Sequence, residues 1–265
     1  MKSVKKEAPV YTIKPLYLGK LIRYEKSIHT YRKNYGIKMD SPFLAFLVQG
    51  GGRNILVDTG PKSLERVRKY HGHIVEAKIP PEVNMLNVLK KHGLSPEDID
   101  FIICTHLHWD HSQNNDCFPG KTVYVQRAEV RYAIDPLKAH YATYEAPAGG
   151  MVPIWATAGN KLKIIEGDQQ IVPGIEVLFT PGHTPGCQCV SVNTEDGKYL
   201  IAGDMVNLYE NWCKGKDGEH IPGSIYVNLA EFEASFDKLD ALNFKEILPS
   251  HDMKVLEHEI YPYKK

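Results

Sequence analysis

The run of residues 106–111, with the pattern His-x-His-x-Asp-His, constrains this sequence more than any other feature. Neutral imidazole is a common protein ligand for zinc, and a carboxylate adds a charged oxygen ligand. Alternate side chains of an extended segment lie on one side, so His106, His108 and Asp110 would converge. Groups that converge in this way share a cation or repel one another. The pattern therefore predicts a metal site, the alternative being a histidine-rich surface loop.

The metal-binding run begins at the end of a predicted buried strand. Residues 100–104, Asp-Phe-Ile-Ile-Cys, are mostly apolar and β-branched, which is typical of a strand covered on both faces. The preceding Ser-Pro-Glu-Asp at 95–98 has the pattern of a capped helical turn. Open α/β sheets place their functional sites at the carboxyl ends of strands, and the run lies at such an end.

Three further residues of metal-binding type follow predicted strands. His183 lies in a turn bounded by proline and glycine, Asp204 ends an apolar strand, and His251 follows another apolar strand. A buried core histidine is the alternative interpretation of His183 and His251. One such motif would be a weak signal, whereas four motifs in this order at strand ends form a strong one.

Taken in this order, the motifs resemble those of the metallo-β-lactamase superfamily of metallohydrolases. The resemblance implies an α/β fold of the αββα sandwich type, in which two mixed sheets are flanked by helices. It also implies two divalent metal ions. By this resemblance the first metal would be bound by His106, His108 and His183, the second by Asp110, His111 and His251, and Asp204 would bridge the two.

Asp58, which closes the predicted strand 54–57, is assigned a supporting role by the same resemblance. In the family this aspartate lies beneath the metal cluster. A ligand histidine needs an acceptor for its other ring nitrogen, so the role is physically sensible. An aspartate that caps a turn is the alternative.

Within the superfamily the chain is most similar to the N-acyl-homoserine lactone lactonases. A secreted β-lactamase-like site would have cysteine in place of Asp204, and diiron oxidoreductases of this fold usually replace His108 with a carboxylate. The resemblance implies a hydrolase that opens a small lactone, with N-acyl-homoserine lactone as the leading candidate and quorum quenching as the role. The alternatives are hydrolysis of another small ester, a cyclic amide or a thioester, and a metal-binding protein without catalysis.

Three residues are predicted to act on the substrate. The resemblance implies that a metal-activated water attacks the carbonyl carbon and that Asp110 passes a proton to the leaving oxygen. The lactonases commonly have a tyrosine three residues after the bridging aspartate, where this chain has Asn207. Tyr209 would reach the same space only if the backbone differs. Zinc is the expected metal. Iron, manganese and cobalt are the alternatives, because coordination geometry and the availability of each metal determine which one is bound.

The composition limits the remaining classes. A chain of 265 residues with 43% hydrophobic residues is long enough for one sizeable core, so one domain over 1–265 is expected. The formal net charge of zero gives no reason to expect nucleic acid or an anionic membrane as partner.

The basic start lacks an apolar segment and the five cysteines are scattered, which predicts a cytoplasmic protein with reduced thiols. A small-molecule substrate is the expected partner, and a homodimer stays open.

Two segments without clear periodicity are candidates for the substrate pocket. Residues 19–42 are read either as a solvated hairpin or loop, or as a flap over the site. Residues 135–160 are read as a pocket wall, the alternative being a packing insertion. An apolar acyl channel is expected between this segment and Trp212. The expected wall residues are Tyr141, Tyr144, Met151 and Trp155.

Periodicity and turn residues predict the other elements. Helices are predicted over 80–91, 127–134 and 229–242, and Pro15 indicates that 10–18 is an edge strand. The apolar face of the first helix would consist of Val83, Leu86 and Leu89. Further strands are predicted over 43–49, 54–57, 122–125, 161–165, 169–172, 175–180, 187–193 and 198–203.

Overall fold

Two mixed β-sheets face one another in the computed structural model, which describes residues 8–212 and 219–263. The first sheet contains β1 (Tyr11–Glu25), β2 (Lys38–Gly50), β3 (Arg53–Val57), β4 (Ala77–Lys78), β5 (Phe101–Ile103), β6 (Thr122–Gln126) and β7 (Lys161–Ile165). Their order across the sheet is β4-β1-β2-β3-β5-β6-β7. The strands from β3 to β7 in this order are parallel, and the other neighbours are antiparallel.

The second sheet is formed by the later part of the chain. It contains β8 (Gln169–Val172), β9 (Ile175–Phe179), β10 (Gln188–Thr194), β11 (Gly197–Ile201) and β12 (Glu246–Leu248). The order is β12-β11-β10-β9-β8, with β11 and β12 parallel and the other pairs antiparallel.

Helices cover the outer faces of both sheets. The α-helices are α1 (Leu64–His71), α2 (Met85–Lys91), α3 (Trp109–Ser112), α4 (Arg127–Ile134), α5 (Tyr141–Tyr144), α6 (Ile154–Thr157) and α7 (Leu229–Asp240). Short 3-10 turns occupy Lys26–Ile28, Pro81–Val83, Pro96–Asp98, Gln113–Cys117, Lys138–His140, Pro147–Gly149, Gly203–Met205, Tyr209–Asn211 and Met253–Glu257. Among the described residues, no helix has the length and apolar character needed to cross a bilayer.

Three apolar clusters hold the layers together. The central cluster joins the two sheets, for example Phe46 and Ile103 of the first with Val190 of the second. A second cluster packs α1 and α2 on the outer face of the first sheet. A third packs Phe232 and Phe236 of α7 on the outer face of the second sheet. Burial of such surfaces is the main driving force of folding, and the arrangement confirms the predicted αββα sandwich.

The hairpin of β1 and β2 is longer than predicted. Residues 19–25 and 38–42, expected either in a solvated hairpin or loop or in a flap, continue these two strands. Pro15 pairs with Phe46 of β2, and β4 pairs with β1 only at Lys20 and Leu21. The part of β1 around Pro15 is therefore an edge, as predicted, apart from an isolated bridge between Ile13 and Tyr261.

The helix predicted over 80–91 is interrupted. A 3-10 turn ends at Asn84, and the side chain of Asn84 accepts a hydrogen bond from the Asn87 backbone to start α2. The new start changes the buried face, so Leu86 is 48% exposed, contrary to the prediction. The residues of α2 that are buried are Met85, Val88 and Leu89.

The cysteines agree with the predicted reduced state where the structure describes them. Cys104, Cys117, Cys187 and Cys189 are free thiols. Cys213 and the basic N-terminal residues 1–7 lie outside the described residues.

Candidate functional site

Loops from both sheets bring the seven predicted ligands together. Four of them belong to the loop and the short helix α3 after β5, and the other three follow β9, β11 and β12. Within each of two groups, every ligand atom lies within 4.8 Å of the others. The first group contains His106, His108, His183 and Asp204, and the second contains Asp110, His111 and His251.

The carboxylate of Asp204 lies between the two groups. Its Oδ2 atom is 3.3 Å from Nε2 of His183, whereas its Oδ1 atom is 3.1 Å from Nε2 of His111 and 3.2 Å from Nε2 of His251. Ser250 Oγ also donates to Oδ1 at 2.8 Å. A carboxylate whose two oxygens face different ligand groups is suited to bridging two cations.

The nitrogen atoms at the centre of the site fit a metal better than they fit one another. Nε2 of His106 is buried and has no hydrogen-bond partner among the described residues. Nε2 of His183 and Nδ1 of His108 lie 3.2 Å apart. Buried polar atoms normally have partners, so an unpaired ring nitrogen among other ligand atoms indicates a position for a cation.

Hydrogen bonds on the outer side of the rings orient three of the histidines. Nδ1 of His183 donates to the carbonyl of Ile225 at 2.7 Å, and Nδ1 of His251 donates to the carbonyl of Pro42 at 2.9 Å. Nδ1 of His111 donates to a carboxylate oxygen at 2.8 Å. With its proton on Nδ1, each ring directs an unprotonated Nε2 towards the centre, as metal binding requires.

Asp58 provides that carboxylate and lies beneath the cluster, as predicted. It accepts from His111 Nδ1 and from both the backbone N–H and the hydroxyl of Thr105, the latter two at 2.7 Å. Since the Thr105 hydroxyl donates to Asp58, its oxygen accepts from Nδ1 of His106 at 3.0 Å. One carboxylate therefore orients two ligand histidines.

Glu129 of α4 has a comparable role that sequence reasoning missed. It accepts from the backbone of Leu107, the hydroxyls of Tyr144 and Thr184, and the backbone of Gly186. These groups belong to two ligand loops and to α5, so Glu129 joins them. Burial raises the pKa of Glu129, and the four hydrogen bonds counteract that rise.

The electrostatics of the site keep His106 and His108 neutral, hold the carboxylate of Asp204 ionised, and raise the pKa of the two histidines beside the carboxylates, His111 and His251. Burial lowers the pKa of His106 and His108, and neighbouring histidines lower it further. Burial alone would raise the pKa of Asp204, but the surrounding histidines hold it well below its usual value. Burial lowers the pKa of His251, but Asp204 and Asp110 raise it above its usual value. The carboxylates therefore draw positive charge to this point.

The ligand cluster forms the inner end of an open cavity. Its volume is about 730 Å³, including solvent at the mouth. The polar lining includes five ligands, namely His108, Asp110, His183, Asp204 and His251. The apolar lining consists of Leu21, Ile28, Ile74, Val75, Trp109, Ala142 and Ile225. Concave sites of this kind, apolar with a few polar groups, are typical of small-molecule sites.

Residues 19–42 contribute to the cavity, which favours the functional interpretation of this segment. Tyr24 and His29 line the cavity together with Leu21 and Ile28. The His29 ring stacks on His251 with 5.1 Å between centroids. Burial lowers the pKa of His29 to about 3, so the ring is neutral. These residues come from a strand end and a 3-10 turn, however, and not from a solvated loop.

The segment 135–160 lines the cavity with other residues than those predicted. Its lining residues are Ala142 and Thr143. Tyr144 is buried beneath them, bonded to Glu129 and edge-on to His108, and Trp155 belongs to the core around the first sheet. Tyr144 therefore supports the site from behind, and Trp155 packs in the core. Short helices can bury large side chains on one face, which the irregular sequence pattern concealed.

Trp212 is also absent from the lining of this cavity. Its ring stacks on His220, with 4.1 Å between centroids, and packs near Phe236 of α7. The expected acyl channel between 135–160 and Trp212 is therefore wrong, because Trp212 lies against the third apolar cluster.

The structure separates the two candidate substrate contacts. Asn207 is 4% exposed and lines the cavity. Tyr209 packs against the central cluster, interacts with Tyr261 and lines a different surface cavity. Its backbone N–H donates to Asp252 at 3.0 Å, which helps to hold the turn. The structure therefore does not bring Tyr209 to the site, and the idea that it replaces the lactonase tyrosine is wrong.

Comparisons with known proteins agree with this geometry. The N-acyl homoserine lactonase of Bacillus sp is 34% identical over 211 residues, which cover 76% of this chain and 79% of that protein. N-acyl homoserine lactonase AiiA of Bacillus thuringiensis subsp. kurstaki is 33% identical with the same coverage. The structure of an N-acyl homoserine lactone hydrolase, with N-hexanoyl-L-homoserine bound at the catalytic metal centre, superposes with a TM-score of 0.75 at 25% identity. That superposition covers 96% of this chain and 98% of the other.

The family match covers every predicted metal ligand. Residues 43–251 match the Metallo-beta-lactamase superfamily, and all the ligand motifs lie within these bounds. This chain therefore belongs to the metallo-beta-lactamase superfamily.

Proposed function

We propose that this protein is a dinuclear metal-dependent hydrolase that opens lactone rings, with N-acyl-homoserine lactone as the leading substrate. The observation that carries the proposal is the placement of Asp204 between two ligand groups at the inner end of a largely apolar cavity. The activity named for the relatives supports the same reaction class.

Zinc is the proposed metal at both positions. The set of five imidazoles and two carboxylates is a ligand set that zinc accepts readily. Bound divalent cations lower the pKa of a shared water towards neutrality and polarise a substrate carbonyl. The chain's own contribution is to hold the ligands in one orientation and to limit access of other water.

Asp110 is proposed to move the proton that ring opening requires. Its Oδ2 atom lies 3.8 Å from Nε2 of His251 and 3.9 Å from Nε2 of His111, and it lines the cavity. A carboxylate that is both beside the ligands and open to the substrate can take up a proton from the attacking water. It can then release that proton to the leaving oxygen of the ring.

Asn207 is proposed to position the substrate. Its side-chain amide makes no hydrogen bond to the described residues, and it lines the cavity. A Cβ atom added at Gly223 would lie 2.6 Å from Nδ2 of Asn207, so the glycine leaves room for this amide. The N–H groups of Asn207 can donate to a carbonyl oxygen, as the tyrosine hydroxyl of the resembling lactonases does.

The cavity suggests where an acyl chain would lie. Ile28, Ile74, Val75 and Ile225 are apolar residues that line it together with the ligands. Burial of each additional methylene is worth about 0.8 kcal/mol. Affinity for acyl-homoserine lactones should therefore rise with chain length until the chain reaches solvent.

The test is a substrate panel with zinc-loaded protein. Acyl-homoserine lactones of increasing chain length, simple lactones, a cyclic amide, a thioester and a phosphodiester are incubated and analysed by chromatography. Ring opening of the homoserine lactones, with kcat/KM rising with chain length, is the expected result. Turnover of another class alone would replace the proposed substrate. No turnover of any member, with both metals bound, would favour a metal-binding protein without catalysis.

A further inference from the structure

A buried polar cluster outside the ligand set reaches the same cavity. Its centre is Glu145, which is 1% exposed and has a backbone φ of +48°. The carboxylate accepts from the guanidinium of Arg66, from Nε2 of Gln113 at 2.5 Å, and from Nε2 of His71 at 3.3 Å. A positive φ is uncommon for glutamate, so surrounding contacts must hold this residue in place.

His71 is the member of this cluster that faces the cavity. It is the last residue of α1, is 3% exposed and contributes to the cavity lining. Its ring stacks on Trp109, with 4.3 Å between centroids and 19° between planes. Trp109 lies between His108 and Asp110 in the chain, so the His71 ring stacks directly on a residue of the metal-binding run.

The contact with Glu145 determines the position of the proton on His71. A carboxylate oxygen is an acceptor, so Nε2 of His71 must carry the hydrogen. Arg66 donates to both carboxylate oxygens, so Glu145 already has a cationic partner. In the neutral ring Nδ1 is therefore an acceptor.

The second ring nitrogen of His71, Nδ1, is available to a ligand. Nδ1 of His71 makes no hydrogen bond to residues 8–212 and 219–263. It is also not among the fully buried polar atoms of these residues. The atom is therefore accessible, and the space that His71 adjoins is the cavity. An accessible acceptor with a fixed orientation, beside apolar side chains, can select a ligand that presents a donor.

We propose that His71, positioned by Glu145, accepts a hydrogen bond from an amide N–H next to the lactone ring and so selects N-acylated amino-lactones over lactones without a donor. This role rests on the proposed function and deepens it. The amide nitrogen of such a substrate is bonded to the ring carbon next to the lactone carbonyl, so its N–H lies near the ring when the ring carbonyl is at the ligand cluster. Loss of one uncharged hydrogen bond should cost about three- to tenfold in kcat/KM.

A purely structural role for the cluster makes a different prediction. Glu145 connects α1, the turn after α3 and the segment around Val152, which accepts from Arg66 at 2.6 Å. If His71 only completed this connection, its replacement would lower stability and would affect all substrates alike. The ratio of kcat/KM for substrates with and without the donor separates the two roles.

The experiment uses zinc-loaded protein and three matched substrates. These are N-hexanoyl-homoserine lactone, its N-methyl amide, and α-hexanoyloxy-γ-butyrolactone, in which oxygen replaces the N–H. Wild-type protein should prefer the first substrate, and His71→Phe, which retains a ring to stack on Trp109, should lose that preference by lowering kcat/KM for the first substrate alone. Val75→Ala, in the same cavity lining, is the control and should affect all three substrates similarly.

The outcomes are distinct. Equal rates on the three substrates in wild-type protein would overturn the role of His71. The lactonase proposal would not be affected by that result. This measurement uses wild-type protein alone, so it does not depend on whether the variant folds. A preference that His71→Phe retains would also overturn it. If wild-type protein opens none of these lactones, the proposed function fails, and the role of His71 fails with it.

Discussion

Asp58 and His111 are joined by a 2.8 Å hydrogen bond although 53 residues separate them in the chain. The carboxylate thereby fixes the proton on Nδ1 and leaves Nε2 of His111 to the ligand cluster. Through Thr105 it also orients His106. Asp58 does not belong to either group of ligand atoms, yet it acts on both of them.

Replacement of Asp58 by Asn should therefore weaken metal binding. The amide N–H₂ group would face a donor, either the Thr105 N–H or the His111 N–H, and one hydrogen bond would be lost. Loss of such an orienting partner typically costs 10–100-fold in metal affinity, about the size we expect here. Competition with a chromogenic chelator measures the affinity. Asp116→Asn, which alters an ion pair with Lys62 away from the cluster, is the matched control. Equal affinities of Asp58→Asn and wild-type protein would contradict the role of Asp58.

Removal of the metal should lower thermal stability. A ligand present at about 1,000 times its Kd stabilises the folded state by about 4 kcal/mol. For a domain of this size that corresponds to roughly 10 °C in Tm. Calorimetry before and after chelation, and after zinc is returned, measures the change. A Tm that is unaffected by chelation and by zinc would argue against metal binding at the cluster.

Asp110→Asn should lower kcat well beyond any loss of metal. The amide retains an oxygen that can act as ligand but cannot carry a proton between water and the leaving group. Positioned proton transfer contributes about 10²–10⁴-fold to rate, and a loss in that range is expected. Rates are compared after zinc content has been matched by elemental analysis. A fully metallated Asp110→Asn protein with wild-type turnover would show that the assignment is wrong.

Asn207→Ala should reduce kcat/KM about tenfold or less without changing zinc content, since one hydrogen bond to the substrate is removed. Gly223→Ala tests the same contact from the other side, because its Cβ would displace the Asn207 amide. The two substitutions should be non-additive in a double-mutant cycle. Full additivity would indicate that the amide does not act at the position assigned to it.

The ligand set could be predicted because each member lies at the end of a strand with a strong local pattern. His183 and Asp204 are far apart in sequence, but the ends of apolar strands are recognisable and meet in a sandwich of this kind. The role of Asp58 came from the family resemblance, since its position after a strand is equally typical of an aspartate that caps a turn. The order of the motifs along the chain was enough to assign the ligands by resemblance to the family, so no long-range contact had to be inferred.

The residues that support the site were harder to predict. Glu129 and Glu145 are single carboxylates within short helices or turns, and nothing in their neighbourhood in sequence distinguishes them from surface residues. Their importance arises from partners such as Thr184 and Arg66, which are 55 and 79 residues away. Tyr209 shows the opposite error, since proximity to Asp204 in sequence suggested a role that the direction of its side chain rules out.

The division of the ligands between the sheets has a consequence for assembly of the protein. The residues that form the first sheet precede those of the second along the chain, and each part supplies only some of the ligands. A cation bound at Asp204 would therefore fasten the two halves of the chain together. Zinc should slow amide hydrogen exchange in β5 and in β11 in concert, although the residues that would hold it only follow the ends of these strands.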